Sequence, residues 1–324
     1  MDQINTQKLI LELKSNIDSE NFRFLLSGKL ATSLILKYLI KENNINPKLS
    51  EILVPKLMGN WVYSNILQNI QTGTIFSEYT KILYIYHQFG IPQSEKVKEF
   101  AEEKRLILIE DCAHVLKASD ENEKSKICNS NYNLFSFSKF TNCGPLGGLI
   151  STDKKFLDFV DKEIDKSSKL QSIFINLLYK LNKILNNNSL FKEKINSINY
   201  SLWNYSSKNL EKNIKIFKKK IEEDLISRNN RFIFFKNNIK EKIYFDYFKY
   251  KDLICQKLPI IINDEKIMNN LIDKFKFYKF PYEILIYDSN RNFLEPNFMK
   301  IIVLDHSEEN SFFEKQTELL RELL

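Results

Sequence analysis

The feature that most constrains this fold is the alternation of short apolar runs with helical patterns over the first 150 residues. Helical spacing of apolar residues occurs at 7–18, 30–40, 63–70 and 95–104, and strand-like runs occur at 51–55, 81–87 and 105–110. Strands that alternate with helices pack as a parallel sheet covered on both faces. The sequence therefore predicts an α/β domain over residues 1–160, with a mostly parallel sheet flanked by helices.

The middle of the chain has a different pattern. Apolar residues repeat at intervals of three and four through 173–185 and again through 210–225, and no proline occurs between Pro145 and Pro259. Proline interrupts helices, so its absence over this length favours continuous helical structure. We predict a helical segment over residues 161–227.

The last hundred residues return to mixed patterns. Apolar runs at 258–262 and 298–304 are typical of strands, and the spacing at 308–324 is typical of a closing helix. This combination predicts a smaller C-terminal α+β domain over residues 228–324.

The seven glycines are confined to one half of the chain, between Gly28 and Gly148. Glycine allows the backbone to turn to the left-handed region or to approach a ligand closely. A chain that otherwise avoids glycine is expected to keep it where geometry demands it, so we expect the ligand site in the first half. The alternative is that the glycines are ordinary loop turns, which we prefer for Gly73.

The net charge of +7 does not predict a nucleic-acid partner. Recognition of bases relies largely on arginine, whose planar guanidinium makes paired hydrogen bonds to guanine. Only six of the 48 basic residues are arginine, and the lysines are scattered as on a solvated surface. The arginines are Arg23, Arg105, Arg228, Arg231, Arg291 and Arg321.

Compartment and membrane association can also be predicted. The most apolar stretch, at 173–185, is interrupted by lysines and is shorter than the ~18 residues of a membrane span, so we expect no transmembrane helix. The first residues carry an acid at position two and lack a small-residue cleavage site, which is not typical of a secretory signal. We therefore expect a cytoplasmic location. The four cysteines form no C-x-x-C pair, so we expect free thiols and no metal site.

Two residues in the first half have the character of catalytic groups. Asp111 follows a buried-looking strand, which places it at the carboxyl edge of a parallel sheet, where open α/β proteins bind ligands. Lys139 ends the strand-like segment Phe135-Ser-Phe-Ser-Lys139, ahead of the Gly147-Gly148 pair. A lysine for the aldehyde and an acid for the ring nitrogen are the two groups that pyridoxal phosphate (PLP) requires. Taken alone, however, a surface lysine is the more common explanation of Lys139.

The sequence motifs around these residues resemble those of the DegT/DnrJ/EryC1/StrS family of sugar aminotransferases. The resemblance is good over residues 26–152, faint over 228–324 and absent over 160–227. It is carried, in chain order, by Leu26-Ser-Gly-Lys-Leu-Ala31, Ile52-Leu-Val-Pro55, Ile85-Tyr-His-Gln-Phe-Gly-Ile-Pro92, Ile109-Glu-Asp-Cys-Ala-His114, Phe135-Ser-Phe-Ser-Lys139, Gly147-Gly-Leu-Ile-Ser-Thr152 and Lys300-Ile-Ile-Val-Leu-Asp-His306.

The resemblance implies the large domain of a fold-type-I PLP-dependent transferase and a role for each matching residue. Lys139 would form the Schiff base with the cofactor and move the proton between cofactor and substrate carbon. Asp111 would pair with the pyridine nitrogen. His114 would contact the 3'-oxygen of the ring, and the alternative for it is a core histidine.

The remaining cofactor contacts are also implied by the resemblance. Gly28 and Lys29, at a helix start, and Ser136 would hold the phosphate, for which helix N-termini are suited. Trp61 is the nearest candidate for the aromatic residue that lies over the ring, although a core position is equally compatible with its sequence.

The function that the resemblance implies is amino transfer to a nucleotide-linked keto sugar, in surface polysaccharide or amino-sugar biosynthesis. Glutamate or a similar amino acid would be the donor, and a homodimer would complete the site at the subunit boundary. One departure leaves an alternative open: residues 56–81 are shorter than in the family, so we expect a sheet edge or a substrate wall to be missing. A non-catalytic family member that serves as a binding or scaffold subunit would have this character.

Overall fold

A computed structural model describes residues 17–120, 122–165, 207–239, 249–305 and 310–323. The predicted helix at 173–185, and all but the end of the one at 7–18, lie outside the described residues. Across the helices that the structure describes, none combines the length and the apolar character that crossing a bilayer requires.

The described part of the first half, up to residue 165, alternates between strands and helices. The strands are β1 (Phe22–Leu25), β2 (Glu51–Leu53), β3 (Gln71–Gly73), β4 (Thr80–Tyr86), β5 (Ile107–Asp111), β6 (Val115–Ser119), β7 (Tyr132–Phe135) and β8 (Gly147–Ile150). The helices are α1 (Gly28–Glu42), α2 (Asn60–Leu67), α3 (Glu95–Glu103) and α4 (Lys154–Asp165). The predicted elements at 30–40, 51–55, 63–70, 81–87, 95–104 and 105–110 are thus confirmed, with ends shifted by a few residues.

Seven of these strands form one sheet in the order β1-β8-β7-β5-β4-β2-β3. Neighbouring strands from β7 to β3 pair in parallel, and β8 runs antiparallel to both β1 and β7. The predicted fold class, a mostly parallel sheet flanked by helices, is confirmed. Tyr86 pairs with Asp111 and Asp111 with Leu134, so the carboxyl ends of β4, β5 and β7 meet at one edge.

Apolar cores cover both faces of the sheet, which explains the continuous apolar runs of its central strands. On one face, Ile82 and Ile109 pack with buried residues of α1 and α4. On the other face, Leu83 and Ile85 of β4 pack with the α3 residue Val97. Successive residues of a strand point to opposite faces, so β4 and β5 each supply both cores.

The segment between β2 and β4 corrects one expectation. Of the two expected losses, a sheet edge or a substrate wall, the sheet edge is present, because β3 pairs in parallel with β2 and forms that edge. The loss of a substrate wall stays a prediction. The short segment makes a helix, α2, and then a strand of only three residues. Val54 donates its N–H to the carbonyl of Gly73, and Ser77 donates to Glu51 at 2.8 Å, so the compact turn is held without additional chain.

The second half contains a long helix and a small antiparallel sheet. Its elements are α5 (Ser207–Ile239), β9 (Asp252–Cys255), β10 (Lys257–Ile260), α6 (Glu265–Phe277), β11 (Glu283–Asp288), β12 (Phe298–Asp305) and α7 (Asn310–Leu323). The sheet order is β10-β12-β11, as expected of an α+β unit, and the predicted strands and closing helix are confirmed. Helix α5 extends the predicted 210–225 pattern and continues past residue 228.

A two-stranded ribbon joins the two halves of the chain. Strand β6, which begins four residues after Asp111, pairs antiparallel with β9 of the second half. The pairing brings Val115 opposite Cys255 and Ser119 opposite Asp252. The loop that leaves the candidate site is therefore fastened to the C-terminal half, a connection that local sequence patterns did not predict.

Candidate active site

Asp111 is the last residue of β5 and is almost completely buried, with 2% of its surface exposed. The hydroxyl of Tyr84 donates to one carboxylate oxygen at 2.5 Å, and the N–H of Ala113 donates to the other at 2.8 Å. Burial raises the pKa of Asp111 above its ordinary value, although nearby Lys139 and these two donors act in the opposite direction. The carboxylate is thus rigidly placed and would gain from a further cationic partner.

Lys139 lies at the end of a short 3-10 turn, Phe137–Lys139, that follows β7. Burial lowers the pKa of its ammonium group to about 8. The charge of Asp111 opposes this shift, whereas Lys29 and Lys257 strengthen it by repulsion. A lysine with such a pKa has a substantial fraction of neutral amine near neutral pH, which is the form that attacks a carbonyl carbon.

His114 is partly exposed, and its Nε2 lies 3.3 Å from the hydroxyl of Tyr86. The N–H of Phe89 donates to Nδ1 at 3.2 Å, and the hydroxyl of Tyr86 lies 2.9 Å from the same atom. Since Nδ1 accepts, the proton of the neutral ring is on Nε2. Burial, with repulsion from Lys139, lowers the pKa of His114 well below its ordinary value, so the ring is neutral and can donate from Nε2.

The start of α1 lies against the ends of two strands. Ser27 caps the helix by accepting from the N–H of Leu30 at 3.2 Å, and Gly28 is buried. A Cβ on Gly147 would overlap the backbone of Ser27 and would lie 2.5 Å from the nitrogen of Gly28. Only glycine at the start of β8 lets the helix N-terminus come this close to the sheet edge.

The predicted phosphate-binding residues lie around this helix start. Ser136 is partly exposed directly after β7, and its hydroxyl lies 3.5 Å from that of Ser138. Lys29 is in the first turn of α1, and burial lowers the pKa of its ammonium group. A helix N-terminus, a hydroxyl and a lysine are together the donor set of an anion site.

Trp61 is on α2 with 53% of its surface exposed, so the core position allowed by its sequence is wrong. The Lys29 ammonium lies 5.0 Å from the centroid of the indole ring, within the range of a cation–π contact. The structure therefore places Trp61 beside the helix start of α1.

Sequence reasoning missed three residues of this region. Tyr84 and Tyr86 belong to the run Lys81-Ile-Leu-Tyr-Ile-Tyr-His87, and their spacing of two puts both hydroxyls on one face at the carboxyl end of β4. That alternation is a signal that could have found them. Lys257 comes from β10 of the second half and acts on the pKa of both Lys139 and His114. Nothing in its local sequence points to the site.

Comparison with solved structures identifies the fold. The chain is similar to a Streptococcus pneumoniae protein described as a sugar aminotransferase, in its PMP form, with a TM-score of 0.63 at 12% identity. It is also similar to the Escherichia coli GDP-4-keto-6-deoxy-D-mannose-3-dehydratase with bound hydrated PLP, with a TM-score of 0.61 at 14% identity. Each comparison covers 98% of this chain and 91% of the other chain. A DegT DnrJ EryC1 StrS aminotransferase from Brucella abortus has a TM-score of 0.60 at 12% identity, over 98% of this chain and 89% of its own.

The chain has the sugar-aminotransferase fold. No protein-family model matches the sequence, and the curated proteins give no match either. The similarity to these solved structures extends over 98% of the chain.

Proposed function

We propose that this protein is a PLP-dependent aminotransferase that converts a keto group of a nucleotide-linked sugar to an amine. The observation that carries the proposal is the pairing of Lys139 with Asp111 at the carboxyl edge of the sheet. One is a partly buried lysine whose pKa is lowered to about 8, and the other is a buried acid within its electrostatic reach. These are the two groups that PLP requires of its protein.

The donor set of the site fits PLP. Asp111, whose buried carboxylate would gain from a cation, suits a protonated pyridine nitrogen. His114, neutral with its proton on Nε2, suits an acceptor such as the ring oxygen. Lys139 supplies the amine for the aldehyde carbon. The remaining predicted contacts, to the phosphate and the ring face, are assigned to Gly28, Lys29, Ser136 and Trp61.

The cofactor, when bound, supplies a carbonyl carbon and a ring that accepts electrons from the substrate carbon. The residues of the chain position the charged groups of the site and transfer protons. Tyr84 and the Ala113 N–H keep the Asp111 carboxylate fixed, and Lys139 can both accept and release a proton near pH 8.

The substrate and donor are proposed from the relatives and the sequence resemblance. One structural neighbour acts, by its name, on a GDP-linked keto sugar, and two are described as aminotransferases. With the motif resemblance, these favour a nucleotide-linked keto sugar and an amino-acid donor such as glutamate. The four free cysteines are compatible with a reducing compartment, which supports a cytoplasmic location.

We also propose a homodimer. Six of the thirteen large apolar side chains that are exposed among the described residues lie in residues 61–79, on α2 and around β3, next to the Trp61–Lys29 contact. An exposed apolar cluster of this kind is typical of a subunit interface. The cluster comprises Trp61, Tyr63, Leu67, Ile75, Phe76 and Tyr79. Sedimentation should show a dimer that persists in high salt, and a stable 38.5 kDa monomer that holds the cofactor would contradict it.

The decisive experiment is borohydride reduction of the protein incubated with PLP, followed by peptide mapping. We expect a yellow protein whose colour borohydride removes and a pyridoxyl group on Lys139. The colour should form more readily as pH rises through about 8, because the neutral fraction of the amine grows from about one tenth at pH 7 to about nine tenths at pH 9.

Lys139→Ala should remove the label, whereas Lys126→Ala, which breaks an ion pair with Asp120, should keep it. A label on Lys29 or no label in the wild-type protein would refute the site assignment. A labelled protein that exchanges no amine with glutamate or any nucleotide-linked keto sugar would instead support the binding or scaffold alternative.

A further inference from the structure

We propose that Arg228, on helix α5, is a positioning residue that holds the turn of Lys139 in place through main-chain carbonyls. The catalytic meaning of this inference depends on the function proposed above, but the positioning itself is a property of the chain. Arg228 is 89 residues from Lys139 in the sequence and comes from a helix that makes no other predicted contribution to the site.

The guanidinium of Arg228 joins two pairs of carbonyls. It is buried, with 4% of its surface exposed, and its Nη2 lies 3.4 Å from the carbonyl of Lys139 and 3.3 Å from that of Phe140. Nη1 lies 3.4 Å from the carbonyl of Cys255 and 3.3 Å from that of Gln256. A planar fork of donors can serve both pairs at once, which a lysine ammonium on a flexible stem cannot do.

The contact with Phe140 fixes the plane of the guanidinium as well as its position. The central carbon of the group lies 5.2 Å from the centroid of the Phe140 ring. Phe140 is itself buried and follows Lys139 directly, so the turn that carries the lysine is held both by its carbonyls and by an aromatic ring.

The second pair of carbonyls connects this turn to His114. The N–H of Gln256 donates to the carbonyl of His114 at 2.8 Å. Gly90 packs into the same place, where a Cβ would overlap the His114 carbonyl and Cys255. Arg228 therefore fastens the Lys139 turn to the segment that also holds His114, and it sets the spacing between the two.

Helix α5 contacts the far end of the same loop through a different residue. Asn213, also buried, donates to the carbonyl of Pro145 at 2.9 Å. Between the two polar contacts, Phe217 packs against Phe137 with ring centroids 4.6 Å apart. Asn213 thus holds the loop that follows Lys139 without touching the lysine turn, which makes it a matched control.

The expected consequence of removing Arg228 is a change in the environment of the Lys139 amine. Four carbonyls would lose their donor and turn toward water, and the lysine turn would open with them. The pKa of Lys139 would then rise from about 8 toward its ordinary value of 10.5, because burial is the main cause of its lowering.

The test is competitive acetylation of the full chain without cofactor, between pH 6 and 11, with the Lys139 peptide quantified by mass spectrometry. We expect the labelling midpoint of Lys139 to rise by at least about one pH unit in Arg228→Met, a tenfold loss of neutral amine at pH 7. Arg228→Lys should give a smaller rise. Asn213→Leu should leave the midpoint unchanged, even where it lowers the melting temperature.

Equal midpoints in wild type and Arg228→Met would overturn the proposal, as would an equal shift in Asn213→Leu, which would show general loosening. If Arg228→Met does not fold, an unchanged midpoint in Arg228→Lys overturns it in the same way. Failure of the proposed function would give a different result. The wild-type chain would then take up no PLP, while the labelling midpoint of Lys139 would still depend on Arg228.

Discussion

Two adjacent acids on β5, Glu110 and Asp111, are both buried but differ in their hydrogen-bond partners. They point to opposite faces of the sheet, Glu110 toward α3 and Asp111 toward α1. Glu110 is fully buried and accepts from the His87 ring at 2.9 Å and from the N–H groups of Cys128 and Asn129 at 3.0 and 2.9 Å. Among the residues that the structure describes, Asp111 accepts from the Tyr84 hydroxyl and from one N–H, that of Ala113, and it lies within the electrostatic influence of Lys139.

The pKa values express this difference. Burial alone would raise the pKa of Glu110, but His87, Lys98 and the Asn129 N–H together lower it below its ordinary value. For Asp111, burial outweighs the opposing groups and the pKa is raised. The comparison teaches that an acid with all its partners supplied by the fold supports stability, whereas an acid left short of partners is available to a ligand.

The contributions of the two acids to the free energy of unfolding should therefore depend on pH in opposite directions. The lowered pKa of Glu110 contributes stability above its unfolded value of about 4.3, and this contribution is lost as pH falls through the folded value. The raised pKa of Asp111 makes its charged form a cost that grows as pH rises above the unfolded value of about 3.9.

The largest expected effect is that of Glu110→Gln on stability. The variant removes the charge opposite His87 and Lys98 and turns an amide toward backbone donors, so we expect the free energy of unfolding to fall by ~3–5 kcal/mol at pH 7. Chemical denaturation at pH 7 and pH 4 measures it, and the difference from wild type should shrink at the lower pH. The control is Glu99→Gln, at an exposed position of α3, which should change little. A wild-type unfolding curve for Glu110→Gln would contradict the comparison.

Asp111→Asn should separate stability from activity. Because the charged carboxylate is a cost to the folded chain, the variant should unfold no more easily than wild type at pH 7. The rate of amino transfer should fall by about two to three and a half decades, the equivalent of losing a buried charge partner of ~3–5 kcal/mol. Steady-state kinetics of the cofactor-loaded variant measure this. Full activity in a folded, loaded variant would remove Asp111 from its proposed role.

Tyr84→Phe has the smallest expected effect, and it tests the contribution of the Tyr84 hydroxyl to the position of Asp111. It removes the 2.5 Å hydrogen bond, so the pKa of Asp111 should rise further, and amino transfer should slow about tenfold, the equivalent of ~1.4 kcal/mol. Tyr132→Phe is the matched control, since its hydroxyl donates to Asp153 at 3.1 Å, away from Asp111. Equal effects of the two variants on the rate would show that the bond has no special role.

Much of the candidate site was predictable because its residues come from one stretch of chain with an ordered motif. Asp111, His114, Ser136 and Lys139 follow their strands in the order that places them at one sheet edge, and the structure places them there. The residues that adjust this site were not predictable in the same way. Lys257 and Arg228 approach from the second half of the chain, where local periodicity says only that a strand or a helix forms.

The sequence by itself determined the alternating α/β layout and the small antiparallel unit at the end, because periodicities of two and of 3.6 are local properties of the chain. Only the tertiary structure decided that β3 completes the sheet edge, that Glu110 is enclosed by α3 while Asp111 is left facing Lys139, and that α5 lies over the lysine turn. Burial, and with it the pKa of each group, depends on which distant segments cover it. That information is absent from any single stretch of sequence.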